Sequence, residues 1–221
     1  MSVILIEPFY NWNGQFDIKN TINEAIDSLT LTDGNKEKLR TFVFDSYNEP
    51  HRVYHSTGHI YYLLKAVKKL DYLIEKHEIM IYTILFHDIV YNMRPVQDEK
   101  DSAEKAKDWL YSNTDLLSSH IEQVAYNIFG KHQVAYDCFE NKLFHDLDNL
   151  ILAGPGTIYQ GYLNSIFKEY SSKYSKEEII RGRVSFLKYI IKGDIFKTNL
   201  FKTMYEKDAL NNIIKELESY G

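Results

Sequence analysis

Apolar residues recur at intervals of three and four along most of the chain, which is the spacing of one face of an α-helix. The clearest run begins at Ile60 and continues through Leu63, Leu64, Val67, Leu70, Leu73 and Ile74. Similar runs occupy residues 177–191, after Ser175 as a helix N-cap, and the tail from Met204 to Leu217. Further helices are predicted over residues 17–30, 36–48, 100–112, 114–129, 138–153 and 157–171. Since no segment alternates apolar and polar residues for long, the pattern predicts an all-α fold.

Glycine and proline fall between the predicted helices, at Gly130, at Gly154-Pro155-Gly156 and at Gly193. No repeat, low-complexity tract or linker interrupts the chain. A length of 221 residues, with 44% hydrophobic and 26% charged residues, is typical of one globular domain. We therefore predict a single domain over residues 1–221, with the C-terminal helices of residues 175–219 packed on the rest.

Composition narrows the classes of function. The net charge of −5 argues against a nucleic acid polymer as the partner, because such binders usually carry a basic excess. The single cysteine, Cys138, excludes an internal disulfide and a cysteine-based zinc site. The longest apolar stretch, Ile79 to Phe86, is far shorter than the ~20 residues that span a bilayer. Residues 1–6 lack the features of a signal peptide, so we expect a cytoplasmic protein without a membrane partner.

The apolar stretch from Ile79 to Phe86 ends in two ionisable residues, His87 and Asp88. A helix that is apolar on nearly every side is expected to run through the core. Ionisable groups at the end of such a helix are costly unless something pairs with them. A metal ion would satisfy an adjacent imidazole and carboxylate there.

Five of the eight histidines lie between residues 51 and 87. His51, His55 and His59 are spaced by four, so they would share one face if this stretch were helical. His59 also lies four residues before Leu63, at the edge of the core-facing stripe. A helix that starts near His59 and packs beside the helix ending at His87 would bring three ligand-type groups together.

A further ligand is expected from a later helix, where two acids lie in an apolar run. Asp148 has Leu147, Ile151 and Leu152 as helical neighbours, which favours an inward orientation. Asp146 would lie about 200° around the helix from Asp148. Asp148 is the preferred ligand, with Asp146 as the alternative.

Short motifs around these residues occur in order along residues 52–183. They are Arg52–Ile60 (RVYHSTGHI), Phe86–Tyr91 (FHDIVY), Asp98-Glu99 with Ser102-Ala103, Lys131-His132, Asp146–Asp148 and Gly182-Arg183. With His59, His87-Asp88 and the distant Asp148, they resemble the H…HD…D pattern of the HD-domain superfamily of metal-dependent phosphohydrolases. In detail they are similar to the RxYHNxxHI, FHDxVY and DxD elements of an uncharacterised bacterial branch. Ser56 stands where that branch has Asn.

This resemblance implies an HD-domain bundle of helices with the metal site at its centre. His59, His87, Asp88 and Asp148 would be the metal ligands. Such a set of nitrogen and oxygen donors suits Mn, Fe, Zn, Co or Ni, with Mg as a further choice. The expected activity is hydrolysis of a nucleotide or another small phosphoester by a metal-activated water.

The resemblance also suggests roles in the reaction. Asp88 would hold the metal and orient the water, and His55 would donate a proton to the leaving oxygen. Lys131, His132 and Arg52 are candidate phosphate contacts, although a surface ion pair would also explain Arg52. Arg181 and Arg183 are weaker candidates, and Glu99 is a candidate partner of a ligand histidine.

Other functions are compatible with these residues. An HD-type di-iron oxygenase would use extra histidines such as His55 and His132 as ligands. A non-catalytic ligand-binding or regulatory HD domain would keep the fold alone. A homodimer is the default expectation for the oligomeric state, because two-fold dimers are the commonest soluble oligomers.

Overall fold

The computed structural model describes residues 17–129 and 138–221. Within these ranges the chain forms helices and no strands, which confirms the all-α prediction for the described residues. The α-helices in chain order are α1 (Ile18–Asp27), α2 (Asp33–Tyr47), α3 (Thr57–Lys69), α4 (His77–Phe86), α5 (Pro95–Asn113), α6 (Ser118–Phe129), α7 (Phe139–Asn149), α8 (Gly156–Tyr170), α9 (Lys176–Ile190) and α10 (Asn199–Ser219). Short 3-10 helices cover Asp71–Leu73 and Leu150–Ala153.

Local signals account for where several helices begin. The Ser175 hydroxyl accepts from the backbone N–H of Glu178, whose carboxylate accepts from the N–H of Ser175 in return, so the predicted N-cap of α9 is confirmed as a capping box. Helix α5 begins at Pro95, five residues before the predicted start. Proline suits this first helical position because it has no N–H to leave unpaired there and its φ is already helical.

Two predicted helices are shorter than the apolar pattern suggests. Helix α3 ends at Lys69, and the chain continues as the 3-10 helix of residues 71–73, although Leu70 and Ile74 are still buried. The spacing of apolar residues indicates which residues are buried, not which type of helix they form. Here the α-helix ends while the residues that follow it remain buried. Helix α6 begins at Ser118 instead of residue 114, because Thr114 is extended and its hydroxyl donates to the carbonyl of Leu110.

The described residues fall into two compact units, residues 17–144 and 145–221, with the boundary inside α7. In the first unit α4 contacts α3, α5 and α6, while α1 packs against α2 and α3. The residues of α4 that are almost fully buried are Ile79, Met80, Tyr82, Thr83, Ile84, Leu85 and Phe86. Helix α4 therefore runs through the core of its unit, as its apolar sequence predicts.

In the second unit the 3-10 helix of residues 150–153 packs against α8 and α10, and α9 contacts both of these helices. Their shared interior holds an ion pair between Arg183 and Glu216, with Nε to Oε1 at 2.7 Å. Tyr159, Tyr162 and Tyr220 complete the hydrogen bonding of this pair. The single domain over residues 1–221 and the packing of residues 175–219 on the rest stay predictions.

Helices long and apolar enough to cross a membrane do not occur in the part of the chain that the structure describes.

The Arg183–Glu216 pair yields a test of stability. Both side chains are at most 6% exposed, so removal of one charge leaves the other buried and uncompensated. We expect Glu216→Gln to lower the free energy of unfolding by about 3–5 kcal/mol in urea denaturation. The matched control is Asp194→Asn, which breaks the exposed ion pair with Lys202 and should cost less than about 1 kcal/mol. Equal losses in the two variants would contradict this role of the buried pair.

Candidate metal centre

The C-terminal end of α4 presents one nitrogen of His87 as a ligand. Helix α4 ends at Phe86, so the carbonyls of its last turn need partners from outside the helix. The carbonyl oxygen of Ile84 accepts a hydrogen bond from Nδ1 of His87, which lies 2.8 Å away. A carbonyl only accepts, so Nδ1 carries a proton, and Nε2 is the ring nitrogen that faces the other ligand-type atoms. Metal-binding histidines typically bind the metal through one ring nitrogen and donate a hydrogen bond from the other to a carbonyl or carboxylate, and His87 has this arrangement.

The Nε2 atom of His87 lies beside two other ligand-type atoms. It is 3.1 Å from Nε2 of His59 and 3.1 Å from Oδ2 of Asp88. His59 and His87 are each about 5% exposed, and the Asp88 side chain is 19% exposed. His59 is the third residue of α3, so the start of one helix and the end of another meet here. The predicted convergence of His59 with His87 and Asp88 is therefore present in the first unit.

The carboxyl of Asp88 is held in its charged form. Burial by itself would raise its pKa, but the charge of His87 and a hydrogen bond from it lower the pKa, and His55 and His59 act in the same direction. The net effect places the pKa of Asp88 well below its usual range. Its backbone N–H donates to the hydroxyl of Tyr47 at 3.1 Å, which also fixes the main chain at this point.

The stretch from His51 to Ser56 is not helical, so the condition for a shared histidine face with His59 is not met. Helix α2 ends at Tyr47, and Pro50 disfavours a helical continuation, so the chain reaches α3 through turns. His51 instead contacts the carbonyl of Tyr91 through Nε2 at 2.8 Å. The His55 ring still lies near the centre, with its centroid 5.9 Å from that of the His59 ring and stacked 4.4 Å from that of Tyr91.

Arg52 has a role that the sequence analysis did not anticipate. It forms an ion pair with the half-exposed Glu49, as one alternative predicts, but the Arg52 side chain itself is fully buried and not on the surface. Its guanidinium donates to the Glu49 carboxylate and to three backbone carbonyls, those of His55, Asp88 and Ile89. These bonds hold it within the protein, which leaves the expected phosphate contact without support.

The segment after α4 is fixed from α5 as well. One carboxylate oxygen of Asp98 accepts from the backbone N–H groups of Asn92 and Arg94, both at 2.7 Å. These two residues flank Met93, whose φ of 57° lies in the left-handed region. Ser102 bonds to both backbone groups of Val90. The Asp98 and Ser102 positions of the motif thus support the main chain that follows the candidate ligands.

The two acids of α7 have different surroundings. Asp146 is completely buried, and its oxygens accept from the N–H groups of Lys197 and Thr198 and from the Thr198 hydroxyl, at 2.5–2.8 Å. Asp146 therefore supports the start of α10 and is not available as the alternative ligand. Asp148 is half-buried and follows Phe144 by four residues, on the same face of α7. The Phe144 ring packs 5.4 Å from the ring of His87.

The prediction that Asp148 points inward depends on a continuous helix over residues 138–153, in which Ile151 and Leu152 are its neighbours. The chain changes to a 3-10 helix at Leu150, so Ile151 and Leu152 do not continue the α-helical face. Of the two acids, Asp146 is fully buried and Asp148 is half-buried.

The other candidates are distributed as follows. Lys131 and His132 lie outside the described residues. Arg183 belongs to the buried pair with Glu216, which accounts for its charge without a phosphate, and Arg181 is exposed. Glu99 is half-buried in α5.

None of the family models, curated proteins or solved structures compared with this chain matches it. The resemblance to the HD-domain superfamily rests on the motifs alone.

The structural role of Asp146 can be tested directly. Asp146→Ala removes the acceptor of three hydrogen bonds at the start of α10, so buried donors lose their partner. We expect the free energy of unfolding to fall by about 1–3 kcal/mol. The control is Asp208→Ala, an exposed acid of α10, which should change stability by less than about 0.5 kcal/mol. Full stability of Asp146→Ala in urea denaturation would contradict the assignment.

Proposed function

We propose that this protein binds a divalent metal ion through His59, His87 and Asp88 and hydrolyses a small phosphoester. The observation that carries the proposal is the convergence of two buried imidazole nitrogens and a charged carboxylate oxygen at the end of an apolar helix. A cation at its centre would strongly stabilise such a group of buried donors.

The distances in the first unit fit a shared metal ion. Two nitrogens bound side by side at about 2.1 Å from a metal, in tetrahedral or octahedral geometry, lie roughly 3.0–3.4 Å apart. The separation of the His59 and His87 Nε2 atoms is 3.1 Å. Because Nδ1 of His87 donates to the Ile84 carbonyl, Nε2 is the nitrogen that would bind the metal in the neutral form of the ring. The spacing of the donor set is therefore suited to a metal.

We include Asp148 as a further ligand in this proposal. It is one turn beyond Phe144, the residue of α7 that packs against the His87 ring. The resemblance to the H…HD…D pattern assigns Asp148 the last ligand position. A second carboxylate would offset the charge of a divalent cation more fully than Asp88 alone.

A bound metal ion would lower the pKa of a water molecule toward ~7 and neutralise charge on a phosphoryl oxygen. Asp88, held in its charged form, would orient that water by accepting a hydrogen bond. His55 would donate a proton to the leaving oxygen, since its ring is next to the ring of His59 and is supported by Tyr91. A small phosphorylated substrate such as a nucleotide, a cytoplasmic location and a homodimeric state stay predictions from the sequence.

The first test is metal content. We expect purified protein to contain Mn, Fe, Zn, Co, Ni or Mg by elemental analysis, and His87→Ala and Asp88→Ala to lose it. The control is His77→Ala, because His77 is half-exposed and pairs with Asp71 away from the centre. Retention of full metal content by both site variants would refute the centre.

The second test concerns turnover. In a screen of phosphoesters with added Mn²⁺, Mg²⁺, Co²⁺ and Ni²⁺, we expect metal-dependent release of phosphate or of a phosphomonoester. His55→Ala should retain the metal, since His55 is not among the proposed ligands, and should lower kcat by ~10²–10⁴-fold. An unchanged kcat would remove His55 as the proton donor, while two irons per chain without hydrolysis would favour the oxygenase.

A further inference from the structure

Two separate segments carry His55 and Asp88, and one side chain bonds to both. The first is the turn region between α2 and α3, which holds His55, and the second is the segment after α4, which holds Asp88. The Nη1 atom of Arg52 lies 3.2 Å from the carbonyl oxygen of His55 and 2.7 Å from that of Asp88. Its Nη2 atom lies 3.3 Å from the carbonyl oxygen of Ile89.

Aromatic rings hold the guanidinium in this position. Its central carbon lies 4.9 Å from the centroid of the Tyr47 ring and 5.2 Å from that of Tyr91. The same two tyrosines contact the residues that Arg52 bonds: the Tyr47 hydroxyl accepts from the N–H of Asp88, and the Tyr91 ring stacks on His55. Arg52, Tyr47 and Tyr91 thus form one clamp around the backbone of His55 and Asp88.

The charge of Arg52 has a partner apart from these carbonyls. Its Nε donates to the carboxylate of Glu49 at 2.9 Å, and Glu49 is 44% exposed while the Arg52 side chain is fully buried. An ion pair alone would not require burial of the arginine. The buried position lets the planar guanidinium bond three carbonyls and the carboxylate at the same time, because its N–H groups lie in one plane. A lysine ammonium has three donors around one point and cannot span these acceptors.

We propose that Arg52 is a positioning residue that sets the distance between His55 and Asp88, and so between the proton donor and the metal. This role rests on the proposed function, because the distance between His55 and Asp88 matters only if both residues take part in that reaction. Arg52 does not contact the substrate in this role. It acts through the backbone of two residues that do.

The test compares Arg52→Lys with Arg40→Lys. Both changes keep a positive charge, and in the described part of the chain Arg40 pairs with the carboxylates of Asp27 and Glu37. For Arg52→Lys we expect Mn²⁺ affinity in calorimetry to fall by ~10–100-fold, as for other residues that orient metal ligands. We expect kcat to fall with little change in KM, since substrate contacts are retained. Arg40→Lys should match the wild type in both measurements.

Hydrogen exchange on the metal-free protein supplies a second readout that does not depend on activity. In Arg52→Lys, exchange should become faster in peptides that contain residues 49–56 and 87–91 and stay unchanged in α9 and α10. Wild-type Mn²⁺ affinity, or an exchange change that is absent or spread over the chain, would overturn the proposal.

The two proposals can fail separately. If wild-type protein binds no metal, the proposed function fails, and selective exchange in these two segments would still support Arg52 as their positioning residue. If Arg52→Lys does not fold, Tyr91→Leu tests the clamp from its other side. That variant should bind Mn²⁺ and show a lower kcat, because His55 loses the ring on which it stacks. An unchanged kcat in Tyr91→Leu would count against the clamp.

Discussion

The burial of polar atoms at the end of α4 is the constraint on which the rest of the centre depends. At the end of an apolar helix, His87 is almost fully buried and Asp88 mostly so, and each buried polar atom there needs a partner from the protein or a ligand. The protein meets part of this need, since the Ile84 carbonyl accepts a hydrogen bond from Nδ1 of His87 and the Tyr47 hydroxyl accepts one from the N–H of Asp88. The same bonds orient the lone pairs that a cation would use. The hydrogen bonds that stabilise the end of α4 thus also orient the side chains that would bind a metal.

The surrounding residues form a second layer that acts on the backbone. Arg52 bonds to the carbonyls of Asp88 and Ile89, Ser102 to the groups of Val90, and Asp98 to the N–H groups beside Met93. Residues 88–94 lie between α4 and α5, outside regular helix, so these side chains bond backbone groups that a helix would pair elsewhere. The left-handed φ of Met93 persists because its neighbours are fixed on both sides. A segment held in this way can present side chains precisely enough for catalysis while it remains outside regular structure.

The sequence predicted those features that follow from burial and local capping. The apolar run of α4, its end at His87, the N-cap at Ser175 and the convergence of His59 with His87 belong to this group. Hydrophobic spacing reports which face is buried, and a polar pair at the end of an apolar helix indicates where partners must converge. The prediction was less accurate at changes of helix type, which keep the burial pattern while they rotate the later side chains. The 3-10 helices of residues 71–73 and 150–153 are the two places where this occurs in the described residues.

Arg52 shows why the remaining features were out of reach. An arginine seven residues before a candidate ligand is compatible with a phosphate contact, a surface ion pair or a buried clamp, because its charge and length are the same in all three. The choice depends on acceptors 36 and 37 residues away in the chain, the carbonyls of Asp88 and Ile89. Backbone carbonyls have no signature in the sequence, since every residue carries one. A side chain that acts on backbone is therefore recognised only once the fold brings its acceptors together, whereas a side chain that pairs with another ionisable residue leaves both partners visible in the sequence.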